Sequence, residues 1–269
     1  MRLKRLLAAL VGISLALVAC GSKNDSTSGD ISNSSSAPAT ELTVFAASSL
    51  TAAFTQIGSD FEAANPGTTV TFNFGPSGDL AASIESEGTA DVLASASGTY
   101  MDEVSGKVGV SGRADFVQNK LVVITPTDNP TGITSMQDLA KPGVQVVLAA
   151  EGVPVGDYAR QALQAAGIEK AVLKNVVSNE DDDASVVAKI TSGEADAAIV
   201  YLSDVTSAVA SQVNAVPIPD DINVIATYPI AVVTGTSHTD TAQAFVNYVT
   251  GSQGQATLAD FGFLPPPST

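Results

Sequence analysis

From residue 41 onward, short apolar runs alternate with stretches in which apolar residues recur every three or four positions. Residues 41–46 read as a strand, and Leu50, Phe54, Ile57 and Phe61 then mark one face of a helix over 50–64. Asn65-Pro66-Gly67 ends that helix with a pair of breakers. Val70, Phe72 and Phe74 alternate as a second strand, followed by a helix over 80–87. Further strands are predicted over 90–96, 120–125, 144–149, 172–177, 197–201 and 228–234. Helices are predicted over 157–166, 184–192 and 202–209, and closing helices within 239–261. No repeat of fixed period interrupts this alternation. Strands alternating with helices predict an α/β protein whose sheet is mostly parallel and covered on both faces. In open sheets of this class, ligands bind at the carboxyl ends of the strands.

Four helices in this pattern begin in a small polar or glycine-rich turn, and three of those turns directly follow a strand. The clearest are Thr43-Val44-Phe45-Ala46-Ala47-Ser48-Ser49-Leu50 and Phe72-Asn73-Phe74-Gly75-Pro76-Ser77-Gly78-Asp79-Leu80. The first turn of a helix carries backbone N–H groups with no intrahelical acceptor. With the helix dipole, they attract an anion. A serine hydroxyl at the same place adds a donor, so two facing turns can hold a small oxyanion without a cationic side chain. As plain N-caps, Ser49 and Ser77 would serve the helices alone. Tyr201, at the end of a predicted strand, falls on the same edge.

The chain starts differently. Arg2, Lys4 and Arg5 precede an apolar run over 6–19, roughly 14 residues and too short for a permanent bilayer-spanning helix. The run ends in Leu17-Val18-Ala19-Cys20, which resembles the lipobox of bacterial lipoproteins. Residues 1–19 are therefore read as a signal peptide and Cys20, the single cysteine, as the lipidated residue of an extracytoplasmic, membrane-anchored protein. Residues 20–40, rich in Ser, Asn, Asp and Gly, are read as a flexible tether with a reach of roughly 25 Å.

Net charge narrows the partners. The full chain carries −16, and removing residues 1–19 takes away three of its twelve basic residues and no acidic one, leaving −19. Such a charge excludes nucleic acid, and an anionic ligand must be held by local donors against the overall field. Low aromatic content and the absence of tryptophan weigh against stacking on sugars or bases.

Six segments carry a resemblance. They are Phe45-Ala46-Ala47-Ser48-Ser49-Leu50-Thr51, Phe74-Gly75-Pro76-Ser77-Gly78, Ala90-Asp91-Val92, Val153-Pro154-Val155-Gly156-Asp157-Tyr158-Ala159, Gly193-Glu194-Ala195-Asp196 with Ile199-Val200-Tyr201, and Tyr228-Pro229-Ile230-Ala231-Val232-Val233. In this order, over essentially all of 41–263, the chain resembles the molybdate-binding proteins of ABC importers. That resemblance implies a type II periplasmic-binding-protein fold, with two lobes of mixed, mostly parallel sheet closing about a hinge. Lobe one would comprise 41–122 plus 229–269, and lobe two 123–228. It implies a monomer that binds molybdate or tungstate, needs no cofactor, and delivers its ligand to an ABC permease. The family's ligand contacts fall on five positions: hydroxyls and backbone N–H groups of Ser49 and Ser77, backbone N–H groups of Val155 and Asp183, and the phenol of Tyr201. All are neutral donors, which suits a doubly charged, unprotonated ion.

Asp183 departs from the family, which carries an apolar residue there. Here it ends the run Glu180-Asp181-Asp182-Asp183, read as a solvated helix start with its carboxylates turned outward. The run lacks the spacing of a calcium loop, so no bare metal ion is expected. Other oxyanions remain as alternatives. Sulfate is smaller, and phosphate would need an acceptor for its proton, for which Asp79, Asp157 or Asp183 would serve if turned inward. A ferric-ion binder would want paired tyrosines, and none of the five is adjacent to another. A cell-surface hydrolase would need His238, the sole histidine, to reach Ser49 or Ser77. It lies in a polar turn without hydrolase, phosphate-loop or zinc spacing, and is read as an exposed loop residue.

Overall fold

The computed structural model describes residues 40–206 and 208–268; the signal-like segment, Cys20 and the tether lie outside them. The first half of the chain lays down β1 (Thr40–Ala47), α1 (Thr51–Ala64), β2 (Thr68–Gly75), α2 (Ser77–Glu87), β3 (Val92–Ala94), α3 (Gly98–Lys107) and β4 (Val110–Pro126). The second half continues with β5 (Val146–Ala149), α4 (Pro154–Ala165), α5 (Glu169–Val172), β6 (Val176–Glu180), α6 (Asp183–Thr191) and β7 (Ala197–Tyr201). It closes with β8 (Val213–Pro217), β9 (Ile225–Val233), α7 (Thr239–Thr250) and α8 (Ser252–Asp260).

The strands run in the order β2-β1-β3-β9-β4-β7-β5-β6, with β8 also pairing β4. The sheet is mixed: β1–β2, β1–β3, β5–β6 and β5–β7 pair parallel, whereas β3–β9 and the pairings of β4 are antiparallel. This is the bilobed α/β architecture of periplasmic binding proteins. β4 joins its two sheets. From Val110 to Lys120 it pairs with β9, and from Leu121 to Pro126 with β7 and β8.

Helix α1 shows why the sequence packs as it does. Phe54, Ile57 and Phe61 are buried on one face, and Gly58 lets the helix close on β2: a Cβ there would lie 2.5 Å from the Phe72 ring. Phe54 meets Phe116 at 5.9 Å and Phe245 at 6.1 Å, and Phe61 meets Phe245 edge-on at 5.2 Å. Truncating one such ring to alanine costs about 3–5 kcal/mol.

Several elements differ from the sequence pattern. The run expected as a strand over 172–177 divides into the short helix α5 and the strand β6. Val172 is buried and anchors that helix, while Leu173 and Val177 point out to solvent, so the apolar run never faced one core. The helix expected over 202–209 is a single 3-10 turn, Leu202–Asp204, because Asp204 turns back and its carboxylate accepts the Tyr201 N–H at 2.8 Å. Helix α3, strand β8 and the first half of β4 have no counterpart in the pattern. Helix α3 is N-capped by Ser97, which accepts from the N–H of Thr99 at 3.2 Å, but it buries only Met101 and Val104.

Candidate functional site

The carboxyl ends of five strands converge. β1 runs into the turn Ser48–Leu50 and α1, β2 into α2, β5 through residues 150–153 into α4, and β6 into α6, while β7 ends at Tyr201. Between them lies a cavity of about 20 Å³ bordered by Ser49, Ser77, Val155, Asp183 and Tyr201, together with Ala47, Pro76, Ala96 and Asp182. All five residues singled out in the sequence thus meet at one place. The space exceeds the roughly 10–15 Å³ that a water molecule needs and is far below that of an organic ligand. No lysine or arginine borders it.

Each neutral donor is positioned by its own neighbours. Ser77 is the first residue of α2, with Pro76 at the cap position, so it does not cap its helix through its side chain. Its Oγ instead accepts the backbone N–H of Ala96 at 3.0 Å, which leaves its hydroxyl hydrogen free. Ser49 Oγ lies 3.0 Å from Tyr228 Oη. Tyr201 is buried, and its Oη is among the few buried polar atoms without a hydrogen-bond partner among the described residues. Burial, then the neighbouring tyrosines Tyr228 and Tyr158, pushes the Tyr201 phenol well above its ordinary range, so it keeps its proton and can donate it. Leaving such a group unpaired costs about 1–3 kcal/mol, and a buried orphan of this kind calls for an explanation.

Val155 is the second residue of α4, after Pro154. Its N–H lies in the first helical turn, where no intrahelical acceptor exists. The turn is held tightly. A Cβ on Gly156 would sit 2.3 Å from the Ala150 carbonyl oxygen and 2.5 Å from that of Ala149. Arg160 fastens the same corner, donating from Nη1 to the carbonyls of Ala149 and Gly156 and from Nη2 to Asn179 Oδ1, each at 2.9 Å.

The acidic run is not uniformly solvated. Asp181 is exposed. Asp182 caps α6, its Oδ1 accepting the Ser185 N–H at 2.7 Å. Asp183, contrary to the outward orientation expected, is 5% exposed, and its Oδ1 takes the Ala184 N–H at 3.1 Å. Burial above all, then the Asp182 charge, pushes its carboxyl up to about 6. Asp204 turns its carboxyl inward toward Tyr201 N, and burial with the Asp183 charge raises it well above the carboxylate range. A neutral or half-neutral acidic pair repels an anion less than two ionised carboxylates would.

His238 is elsewhere and is not a free loop residue. Its Nδ1 lies 3.3 Å from Asp91 Oδ1, and Asp91 also accepts the Thr43 N–H at 2.7 Å and the Thr236 hydroxyl. The serines have other partners, so the described residues hold no serine–histidine pair. No group of three or more His, Cys, Asp or Glu among them is arranged for a metal ion. Sequence reasoning missed Asn119, Asp204 and the role of Tyr228. Asn119 sits in the polar run Gln118-Asn119-Lys120 and carried no distinguishing signal.

A family model described as bacterial extracellular solute-binding protein matches residues 42–264. The chain is 39% identical over 251 residues to the molybdate-binding protein ModA of Mycobacterium tuberculosis, covering 93% of each. Among solved structures it is similar to the substrate binding domain of a putative molybdenum ABC transporter from Clostridium difficile, with a TM-score of 0.67, 27% identity, and coverage of 85% of this chain and 100% of that one. It shares its fold with the sulfate-binding protein SubI of Mycobacterium tuberculosis, with a TM-score of 0.74, 19% identity, and coverage of 84% and 87%. The chain therefore belongs to the bacterial extracellular solute-binding proteins and is a relative of the ModA-type molybdate-binding proteins of ABC transporters.

Proposed function

We propose that this protein captures molybdate, and tungstate with it, in the cavity between Ser49, Ser77, Val155, Asp183 and Tyr201. Its family binds solutes outside the cytoplasm for ABC transporters and is not enzymatic; molybdate as the cargo is the finer reading. One observation supports it most directly. A cation-free space for one small ion is bordered by a buried, unpartnered phenol and by a serine whose hydrogen is left free. That set offers hydrogens to the ion, as a fully deprotonated tetrahedral dianion requires. Tungstate, nearly equal in size and charge, is expected to bind alongside it, and smaller sulfate more weakly.

The rest of the reading follows from the sequence. Cys20 would carry a diacylglyceryl anchor, since stable attachment needs more than one acyl chain, and Cys20→Ser should abolish lipoprotein processing and membrane fractionation. Lobe one would be 41–122 plus 229–269 and lobe two 123–228, with a monomer presenting the loaded cleft to its permease.

A second reading is supported by Asp183, whose buried carboxyl borders the cavity and would accept the proton of hydrogen phosphate when ionised. Calorimetry with molybdate, tungstate, sulfate and phosphate at equal ionic strength decides between them. Ser49→Ala and Ser77→Ala should each weaken molybdate binding about 10- to 150-fold, the worth of a hydrogen bond to a charged group. Unchanged affinity in both variants would remove the molybdate reading, and tighter phosphate binding would replace it with the second.

A further inference from the structure

We propose that Tyr228, which does not border the cavity, dictates which way the Ser49 hydroxyl points and so presents that serine to the cavity as a donor, biasing the site against oxyanions that carry a proton. The inference rests on Ser49 as an oxyanion contact and adds a positioning residue behind it.

The direction is set from the backbone. Lys120 N–H donates to Asn119 Oδ1 at 3.0 Å, which identifies that atom as the amide oxygen, because the reversed amide would face one donor with another. Asn119 Nδ2 then faces Ser203 Oγ at 2.8 Å and Tyr228 Oη at 3.4 Å, with one hydrogen for each. An amide nitrogen only donates, so Tyr228 Oη is an acceptor there. Within hydrogen-bonding distance its own hydrogen has one remaining acceptor, Ser49 Oγ at 3.0 Å. Asn119 and Tyr228 are both fully buried, so water does not compete for these positions. Burial also holds the Tyr228 phenol well above its ordinary range, which keeps the proton on it. Ser49 Oγ thus accepts from Tyr228, and its own hydrogen is left for the cavity that it borders.

Ser77 reaches the same state by a different route, since its Oγ accepts the Ala96 N–H. A backbone N–H cannot be reversed, and only proline would remove it. The Asn119–Tyr228–Ser49 relay can be cut at a single atom.

Without the Tyr228 hydroxyl, Ser49 is free to donate or to accept. A fully deprotonated ion gains nothing from that freedom and loses a polarised donor. A protonated ion gains a place for its hydrogen.

The test is a double-mutant cycle on the full chain with Tyr228→Phe and Ser49→Ala, using molybdate and inorganic phosphate, which keeps at least one proton at neutral pH, as the probes. In Tyr228→Phe, molybdate should bind about 2- to 10-fold more weakly, the range of a single net hydrogen bond, and the molybdate-to-phosphate preference should narrow by a similar factor. Both changes should vanish in the Ser49→Ala background. Asn119→Leu, which removes the upstream donor and keeps the phenol, should shift the same ratio in the same direction by less, and it serves as the cut if Tyr228→Phe does not fold. An unchanged ratio in the cut variant, or a Tyr228→Phe effect equally large without Ser49, overturns the relay. If the wild-type chain binds sulfate and not molybdate, the molybdate reading fails by itself. The cycle is then run with sulfate, where absent coupling between the two positions overturns the relay in turn.

Discussion

Tyr100 on α3 donates its phenolic hydrogen to the carbonyl oxygen of Gly152, in the turn that leads into α4. Helix α3 packs beside α2, whereas that turn follows β5 in the other sheet, so this hydrogen bond ties the two sheets together beside the cavity. The ring lies against Gly78, where a Cβ would come within 3.1 Å of it. Tyr100→Phe keeps the ring and removes the bond. Ligand release should accelerate about 2- to 10-fold, matching one partly exposed hydrogen bond, with little change in association rate. Stopped-flow displacement of bound molybdate measures both, and an unchanged release rate would show that the contact does not hold the cleft closed.

Tyr201→Phe should move stability and function in opposite directions. The Tyr201 Oη has no partner among the described residues, and removing a buried unpaired hydroxyl is neutral or stabilising. The ligand-free midpoint should therefore stay level or rise, while oxyanion affinity falls about 10-fold or more. Thermal unfolding with and without molybdate separates the two effects. A lowered ligand-free midpoint would assign Tyr201 to the core alone.

Asp183 predicts a pH dependence of definite sign. Burial raises its carboxyl to about 6, above the unfolded value near 4, so the folded state binds more protons than the unfolded one. Its contribution to stability is complete below about 4 and is lost as pH rises toward and through about 6. A bound dianion raises the carboxyl further, so binding takes up protons and affinity declines as pH climbs above about 6. Calorimetry in buffers of different ionisation enthalpy should detect this uptake, and Asp183→Asn should abolish most of it. Proton uptake unchanged in that variant would place the titration elsewhere.

Gly156→Ala tests the corner that presents the Val155 N–H. A methyl group would meet two carbonyl oxygens at 2.3 and 2.5 Å, both backbone, so the start of α4 must move away from β5. Overpacking of this kind costs about 1–3 kcal/mol, and the displaced N–H should lower affinity beyond that loss. A midpoint and an affinity equal to wild type would show that the corner relaxes freely.

Much of the site was legible because two of its walls are local. A strand that runs into a serine and then an amphipathic helix places that serine at a helix start whatever the rest of the chain does, and Tyr201 ends a fully buried strand. The supporting groups were not legible. Asn119 and Tyr228 are 109 positions apart in the sequence and meet only because β4 and β9 pair. The inward turn of Asp183 depends on which flank of α6 packs against β5 and β7, which the run of carboxylates does not encode. The first half of β4 was hidden by Ser111, Gly112, Arg113 and Asp115, which break the alternation where the strand also carries two register shifts.

The continuity of β4 has a mechanical consequence. A strand of 17 residues that is stitched to β9 along one part and to β7 and β8 along the next behaves as a leaf spring. It can flex and twist between Lys120 and Leu121, where its partners change, at the expense of a few dihedral angles. It cannot slide, because a shift of one residue would break both ladders and turn every buried side chain to the wrong face. If the two sheets part as the type II resemblance implies, the motion is confined to rotation about a line through the middle of the strand. Such a rotation would bring Ser49 and Ser77 back to Val155, Asp183 and Tyr201 in the same alignment, with the site reassembled by the backbone and not sought anew by diffusion.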